Sequence, residues 1–482
     1  MTIIAVVLGY FALLFAFSRW TGRRATNETF YRADRQSPWY MVAFGMVGAS
    51  ISGITFVSVP GMVLVSQMNY LQTCMGFILG YVVVAFVLLP LYYKLNLTSI
   101  YAYLGQRLGR RSHKTGSCFF LLSKMTGAAV RFYVVCIILQ RFVFEPLGIS
   151  FVMTTVSLVL LIWLYTRKGG IKTLVWTDSL QTLCLFTALL IIIYKVAADL
   201  NLTISETFTV VSQSELSRVF VMDDWVSKQN FWKQFLSGVF IVLVMTGVDQ
   251  DMMQKNLTCK TLRGAQKDMC TYGVAFLPAN MLFLSLGVLL TMWYQKQGMP
   301  LPTSGDELLP HFIQATSVLT ANSQLLTAFF VLGIVAASFS SADSALTSLT
   351  TIYCVDIMGK KDDEVLRKRT HLVMCVIFVL FILFFKVVNS TSLIDAIYII
   401  CGYTYGPLLG LFAYGLLTKR GVNDRLVPYI AVVSPLLCYA IDYGVGQLTG
   451  YRFGYELLML NGLITFLGLY LSSPLSTQRN IP

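Results

Sequence analysis

Apolar runs recur along nearly all of the 482 residues. Several reach the roughly 20 residues that a helix needs to cross a hydrocarbon core about 30 Å thick. Composition agrees. The chain is 56% hydrophobic and 12% charged, where a soluble globular protein carries about 25% charged residues. A chain of this length would normally divide into several soluble domains; here it reads as one all-α membrane domain. Helices are expected near 1–18, 40–67, 71–93, 117–144, 149–166, 174–195, 233–250, 272–294, 323–354, 370–388, 392–417, 426–443 and 454–472, about thirteen spans in all.

The formal net charge of +13 suggests nucleic acid until its distribution is read. Segments 19–36, 94–116, 167–173, 251–272, 356–370, 418–425 and the C-terminal tail hold 26 of the 36 Lys and Arg residues. These segments fall on one side of the membrane, and the positive-inside rule makes that side cytoplasmic. The N-terminus is then expected outside and the C-terminus inside, with membrane lipid, not nucleic acid, as the basic partner. The first span has no basic residue before its apolar run and Arg19, Arg23, Arg24, Arg32 and Arg35 after it. That is the reverse of a cleavable signal, so it is kept as a helix. No soluble domain is expected beyond the membrane core. The ten cysteines are scattered without CxxC or Cys/His clusters, and there are three histidines. This speaks against a disulfide scaffold and a zinc site.

A simple anchor would be Leu/Ile/Val throughout, and this chain departs from that in four places. Span two, 46–61, crowds Gly48, Ser50, Ser52, Gly53 and Thr55 into its centre. Two readings fit. A broken helix frees backbone carbonyls that bind a cation when they line a cavity; alternatively, small residues serve close helix packing. Span nine carries five serines, Thr347 and Asp343 between 333 and 348. There, Ala337, Ser340, Ser341 and Ser344 share one helical face by i, i+3, i+4, i+7 spacing. Hydroxyls can back-bond to their own helix, but hard oxygen ligands also suit a hard cation such as sodium. An intramembrane Asp favours function, because a buried charge is costly. Arg131 lies too deep in span four to snorkel, unlike Lys124 or Arg141, so it needs a protein carboxylate or an anionic substrate, which guanidinium grips bidentately. Asp178, near the start of span six, reads by itself as a solvated helix-start carboxylate.

The segments 169–181 (GGIKTLVWTDSLQ), 247–255 (GVDQDMMQK), 338–348 (SFSSADSALTS) and 402–412 (GYTYGPLLGLF) together resemble the solute:sodium symporter family, closest in motif to its sialic acid transporter type. The resemblance covers essentially the whole chain. It implies a LeuT-like core of two inverted five-helix repeats, each opening on an interrupted helix. One helix would precede the core and two would follow it. The boundaries would be 1–39 for the extra helix and loop, 40–195 and 233–417 for the repeats, and 418–482 for the last two helices. It further implies a first sodium held by carbonyls of Gly48, Ile51 and Ala337 and hydroxyls of Ser340 and Ser341. A second sodium would fall on Asp178, Ser340, Asp343 and Ser344, although Asp343 stands where those relatives have serine. Substrate would meet Ser50, Ser52, Thr55, Phe56 and Arg131. Val244, Met245 and Thr246 replace the aromatic residues of sugar-transporting relatives, which speaks against a simple hexose.

The expected function is sodium-coupled symport of a small organic solute, a carboxylate such as a sugar acid, across the plasma membrane by alternating access. A bacterial inner membrane suits the compact chain. Sodium is the coupling ion, and no obligatory protein partner is inferred. Two rivals are a proton-coupled transporter of the same fold, using Asp343 or Asp178, and a solute-binding membrane sensor. An enzyme ranks last, because no nucleophile–base arrangement, metal cluster or phosphate loop appears in the spans.

Overall fold

A computed structural model describes residues 2–23, 25–225, 227–319, 323–388, 393–451 and 453–473. Arg24 and the C-terminal tail, both used in the topology argument, lie outside the described residues. Among those described there is no β-strand. The apolar runs fold as helices because only an intrasegment hydrogen-bond ladder satisfies the backbone in lipid.

The helices that matter below are α1 Thr2–Thr21, α2 Trp39–Ser50, α3 Gly53–Ser66, α4 Tyr70–Lys94, α5 Arg110–Leu139, α6 Phe151–Thr166 and α7 Ile171–Leu200. They continue with α8 Phe231–Gly247, α9 Gln250–Asn256, α10 Leu262–Lys296, α11 Ser323–Ile352, α12 Glu364–Val388, α13 Leu393–Leu417, α14 Val427–Thr449 and α15 Leu457–Leu471. Among the described residues seven helices are long and apolar enough to cross a membrane, or nine when each bent pair counts as one span. Shorter apolar helices lie at Ala5–Thr21, Phe151–Thr166 and Leu457–Leu471. The expectation of thirteen spans goes beyond what length and composition establish.

Two helices extend past the segments that hydropathy marks. The start of α5 is fixed by Asp424, whose carboxylate accepts from the Arg111 and Ser112 N–H groups at 2.9 and 2.7 Å. Thr261 caps α10 by accepting from Gly264 N–H at 3.1 Å. Hydropathy reports only the part of a helix that lies in hydrocarbon, so these polar turns escaped it.

Both expected interruptions are present. α2 and α3 meet at a 62° bend, and α8 and α9 at a 70° bend. At the first, Ile51 and Ser52 take extended backbone angles between the two helices. Gly48 serves the close-packing reading as well, since a Cβ there would run into the Thr182 side chain on α7. Small residues therefore do both things proposed for this span: they bring α2 against α7, and they precede a break.

α11 sits at the centre of the bundle. It packs on α1, α3, α5, α7 and α12, and 89% of its most apolar window is buried. The corresponding figure for α14 is 17%, which places α14 on the lipid-facing outside. The serine-rich face of α11 is thus held deep inside, against both halves of the broken span.

Candidate functional site

A cavity opens beside the first break. Ser50 and Ser52 line it at the break, with Thr55 from α3, Tyr81 from α4, and Tyr272 and Phe276 from α10. α8 contributes Met245 and Thr246, Asp249 comes from the second break, and Tyr405 from α13. The wall supplied by α5 is Ser123, Lys124, Gly127, Ala128 and Arg131. Hydroxyls are linked across it: Tyr81 donates to the Tyr272 hydroxyl at 2.7 Å, and Tyr272 in turn hydrogen-bonds Ser50. Both broken spans therefore face one polar chamber.

Arg131 is half-buried on this wall. Among the described residues it has neither a hydrogen bond nor an ion pair. That answers the question its depth raised, because no described carboxylate neutralises it. Lys124, two helical turns away, behaves in the opposite way. It was expected to snorkel, yet it is 7% exposed. Its ammonium lies 3.2 Å from Asp249 and 2.7 Å from Asp251. Asp249 is doubly occupied, accepting also from the Tyr405 hydroxyl at 2.7 Å and capping α9 through the Asp251 N–H at 2.8 Å.

Of the substrate residues expected, Ser50, Ser52, Thr55 and Arg131 line the cavity. Phe56 does not. It is fully buried, 5.4 Å from the Phe283 ring and 6.3 Å from Phe330, on the side of α3 that packs into the core. One residue after Thr55 on a helix is a rotation of about 100°, enough to leave the cavity face.

On the other side of the break lies a region rich in oxygen atoms. The Ser341 hydroxyl donates to the Ala49 carbonyl at 2.9 Å and reaches the Ala337 carbonyl at 3.3 Å, tying α11 to the end of α2. Among the described residues the carbonyls of Gly48 and Ile51 accept no hydrogen bond. Free carbonyls in a buried place are rare and need an explanation. Contrast the second break, where the Gly247 and Val248 carbonyls accept from the hydroxyls of Tyr92 and Tyr101 at 2.9 and 2.7 Å.

Ser340 donates to Asp178 at 2.7 Å, joining α11 to α7. Asp178 is 1% exposed, so the reading of a solvated helix-start carboxylate is wrong: it lies a full two turns into α7 and is covered. Its other oxygen is 2.7 Å from the Lys255 ammonium. Asp343 accepts from the Tyr165 hydroxyl at 2.6 Å and from Ser344 at 3.3 Å. Lys124, Asp249 and Lys255 are the side chains that sequence reasoning passed over. The last two were quoted in the 247–255 motif, but nothing in one sequence indicated their partners.

This arrangement joins two broken spans, a hydroxyl-bearing central helix and a polar cavity between them. A family model described as the sodium:solute symporter family matches residues 30–425. The chain belongs to that family. It is a sodium-coupled solute transporter and not an enzyme, and the rivals considered above fall away. Among relatives, this symporter is 26% identical to the sodium/sialic acid symporter SiaT of Proteus mirabilis over 454 residues, covering 91% of this chain and 89% of the relative. It is 24% identical to the sodium/sialic acid symporter NanT of Aliivibrio fischeri, covering 86% and 83%. A solved structure of a sodium-coupled sialic acid symporter, substrate-bound and outward-open, superimposes with a TM-score of 0.85 at 22% identity over 99% of this chain and 98% of that one. The symporter thus has the all-helical transporter fold expected of it.

Proposed function

We propose that this symporter carries a carboxylate-bearing, hydroxylated solute of the sugar-acid class together with one sodium ion. The observation that carries the substrate reading is Arg131, a guanidinium on the cavity wall with no described protein anion to neutralise it. A substrate carboxylate would supply the missing charge through a bidentate pair. The hydroxyls of Ser50, Ser52, Thr55 and Tyr272 then face the body of the solute. That the relatives include sialic acid symporters supports this class.

Sodium is assigned to the carbonyls of Gly48, Ile51 and Ala337 and the hydroxyls of Ser340 and Ser341. The carbonyls of Gly48 and Ile51, free of hydrogen bonds at the break among the described residues, are the kind of donor that a hard cation takes. A second sodium at Asp178, Ser340, Asp343 and Ser344 would have to share Asp178 with the Lys255 ammonium, so coupling is assigned to the first position alone.

Sodium bound there draws α11 and the end of α2 together, and Ser50 and Ser52 on the same break face the solute. Each ligand therefore raises affinity for the other. Alternating access follows when the paired ligands are enclosed and then released on the cytoplasmic side. Two bends, each at the first helix of a proposed repeat, support the inverted-repeat boundaries 40–195 and 233–417. The basic segments support an outside N-terminus and a cytoplasmic C-terminus in a plasma membrane.

The test is thermal stability of the purified protein in sodium, potassium and choline salts at equal ionic strength, with and without a panel of solutes. Stabilisation specific to sodium, enhanced by a sugar acid and lost in Ser341→Ala, is the expected result. Stability indifferent to sodium would sink the assignment. Arg131→Ala is expected to lose the solute response and keep the sodium response.

A further inference from the structure

Gly127 is a residue of the cavity wall whose lack of a side chain the packing of the protein does not explain. It lies in the interior of α5 and is buried. A glycine at such a place destabilises a helix relative to alanine. Buried helical glycines are normally kept because a neighbour comes too close for a side chain. That holds for Gly48, and for Gly76, Gly238, Gly273 and Gly287, where a Cβ would collide with an adjacent helix. At Gly127 a Cβ would meet nothing within 4 Å. Nor is its backbone in the left-handed region that favours glycine. It is buried, yet it faces open space, and that space belongs to the cavity.

The position of this space is informative. Lys124, Gly127, Ala128 and Arg131 follow i, i+3, i+4, i+7 spacing, so they form one stripe along α5. Gly127 sits one turn from Arg131, about 6 Å along the helix axis. A three-carbon acid held by Arg131 would leave the room over Gly127 unfilled. A larger acid would place its ring or chain there, between the small residues of α5 and the hydroxyls of Ser52, Thr55 and Tyr272.

Resting on the carboxylate reading of Arg131, we propose that Gly127 sets the size class of the solute: the cavity takes a bulky, polyhydroxylated carboxylate whose body lies over Gly127, and rejects small monocarboxylates. Gly127 acts by the room it leaves, so enlarging it excludes the solute without disturbing fold or ion binding.

The experiment uses full-length Gly127→Ala, Gly127→Val and Gly127→Leu with the parent protein. Thermal stability is measured in sodium with lactate, gluconate, glucuronate and sialic acid as probes. The parent is expected to be stabilised by at least one of the three sugar acids at concentrations at least tenfold below any lactate effect. Val and Leu are expected to weaken that response more than tenfold. Without solute, Gly127→Ala should be at least as stable as the parent, and all three variants should keep the parent's sodium shift. Sugar-acid binding unchanged in a folded Gly127→Leu protein would overturn the proposal, as would loss of stability in Gly127→Ala, which would mean that the space is not empty. A parent that prefers lactate would overturn the size class while leaving the carboxylate reading intact. Arg131→Ala separates the two ideas: if it binds the acid as the parent does, the carboxylate reading fails. Response to none of the four acids overturns both.

Discussion

Removing the Lys255 ammonium by Lys255→Met tests the buried charge arrangement most directly. Its side chain is 2% exposed and that of Asp178 is 1% exposed, with 2.7 Å between ammonium and carboxylate. Water cannot stand in for the lost partner without a rearrangement of α7 and α9. Breaking a buried pair on one side costs about 3–5 kcal/mol, because the remaining charge is left uncompensated. The Ser340 hydroxyl still donates to Asp178 at 2.7 Å and tempers the loss without replacing a full charge. Replacing both partners should cost far less, since a buried pair exchanged for neutral groups of similar shape is often nearly neutral. Lys255→Met is therefore expected to unfold at markedly lower temperature, and Lys255→Met with Asp178→Asn to recover most of the difference. The assay is thermal unfolding of the purified protein in potassium salt without solute, so that sodium cannot answer the stranded carboxylate. A single variant as stable as the parent, or a double variant no better than the single, would refute the reasoning.

Other outcomes follow from the same geometry. Ser341→Ala should cut the apparent sodium affinity more than tenfold in a stability titration while leaving the potassium baseline within about 1 kcal/mol, the worth of a typical hydrogen bond. Gly48→Ala should destabilise by about 1–3 kcal/mol through overpacking against Thr182, and Thr182→Ala in the same chain should restore part of the loss in a thermal melt. One sodium carried with one singly charged carboxylate moves no net charge. Although a charge crossing the field is worth about 2.3 kcal/mol per 100 mV, uptake into proteoliposomes should be insensitive to an imposed potassium-diffusion potential. Strong stimulation by inside-negative voltage would mean that a further cation travels.

Much of this was legible in one sequence, for identifiable reasons. Long apolar runs and flanking charge follow from the bilayer acting as solvent, which reads composition directly. The small and hydroxyl residues around Ser50–Gly53 marked the place of the break but fitted close packing equally well, and it was the family resemblance that pointed to an interrupted helix. The face formed by Ala337, Ser340, Ser341 and Ser344 required only helical periodicity. What stayed hidden was pairing at long range. Lys124 looked free to snorkel because its partners, Asp249 and Asp251, come 125 residues or more later. Asp178 looked solvated because Lys255 lies on another broken span. Phe56 was misplaced by a single residue, a rotation no local pattern fixes. Each miss is a matter of which helix stands beside which.

The two elbows in this bundle differ in what completes them. At the second, tyrosine hydroxyls close off the carbonyls of Gly247 and Val248. At the first, the carbonyls of Gly48 and Ile51 accept no hydrogen bond among the described residues. A dry, empty first elbow is too costly to persist inside a membrane. If sodium is held there as proposed, each departure of the ion is accompanied by hydration of those two carbonyls, and each arrival by their drying. On the sodium assignment proposed above, water entry and ion release become one event seen from two sides.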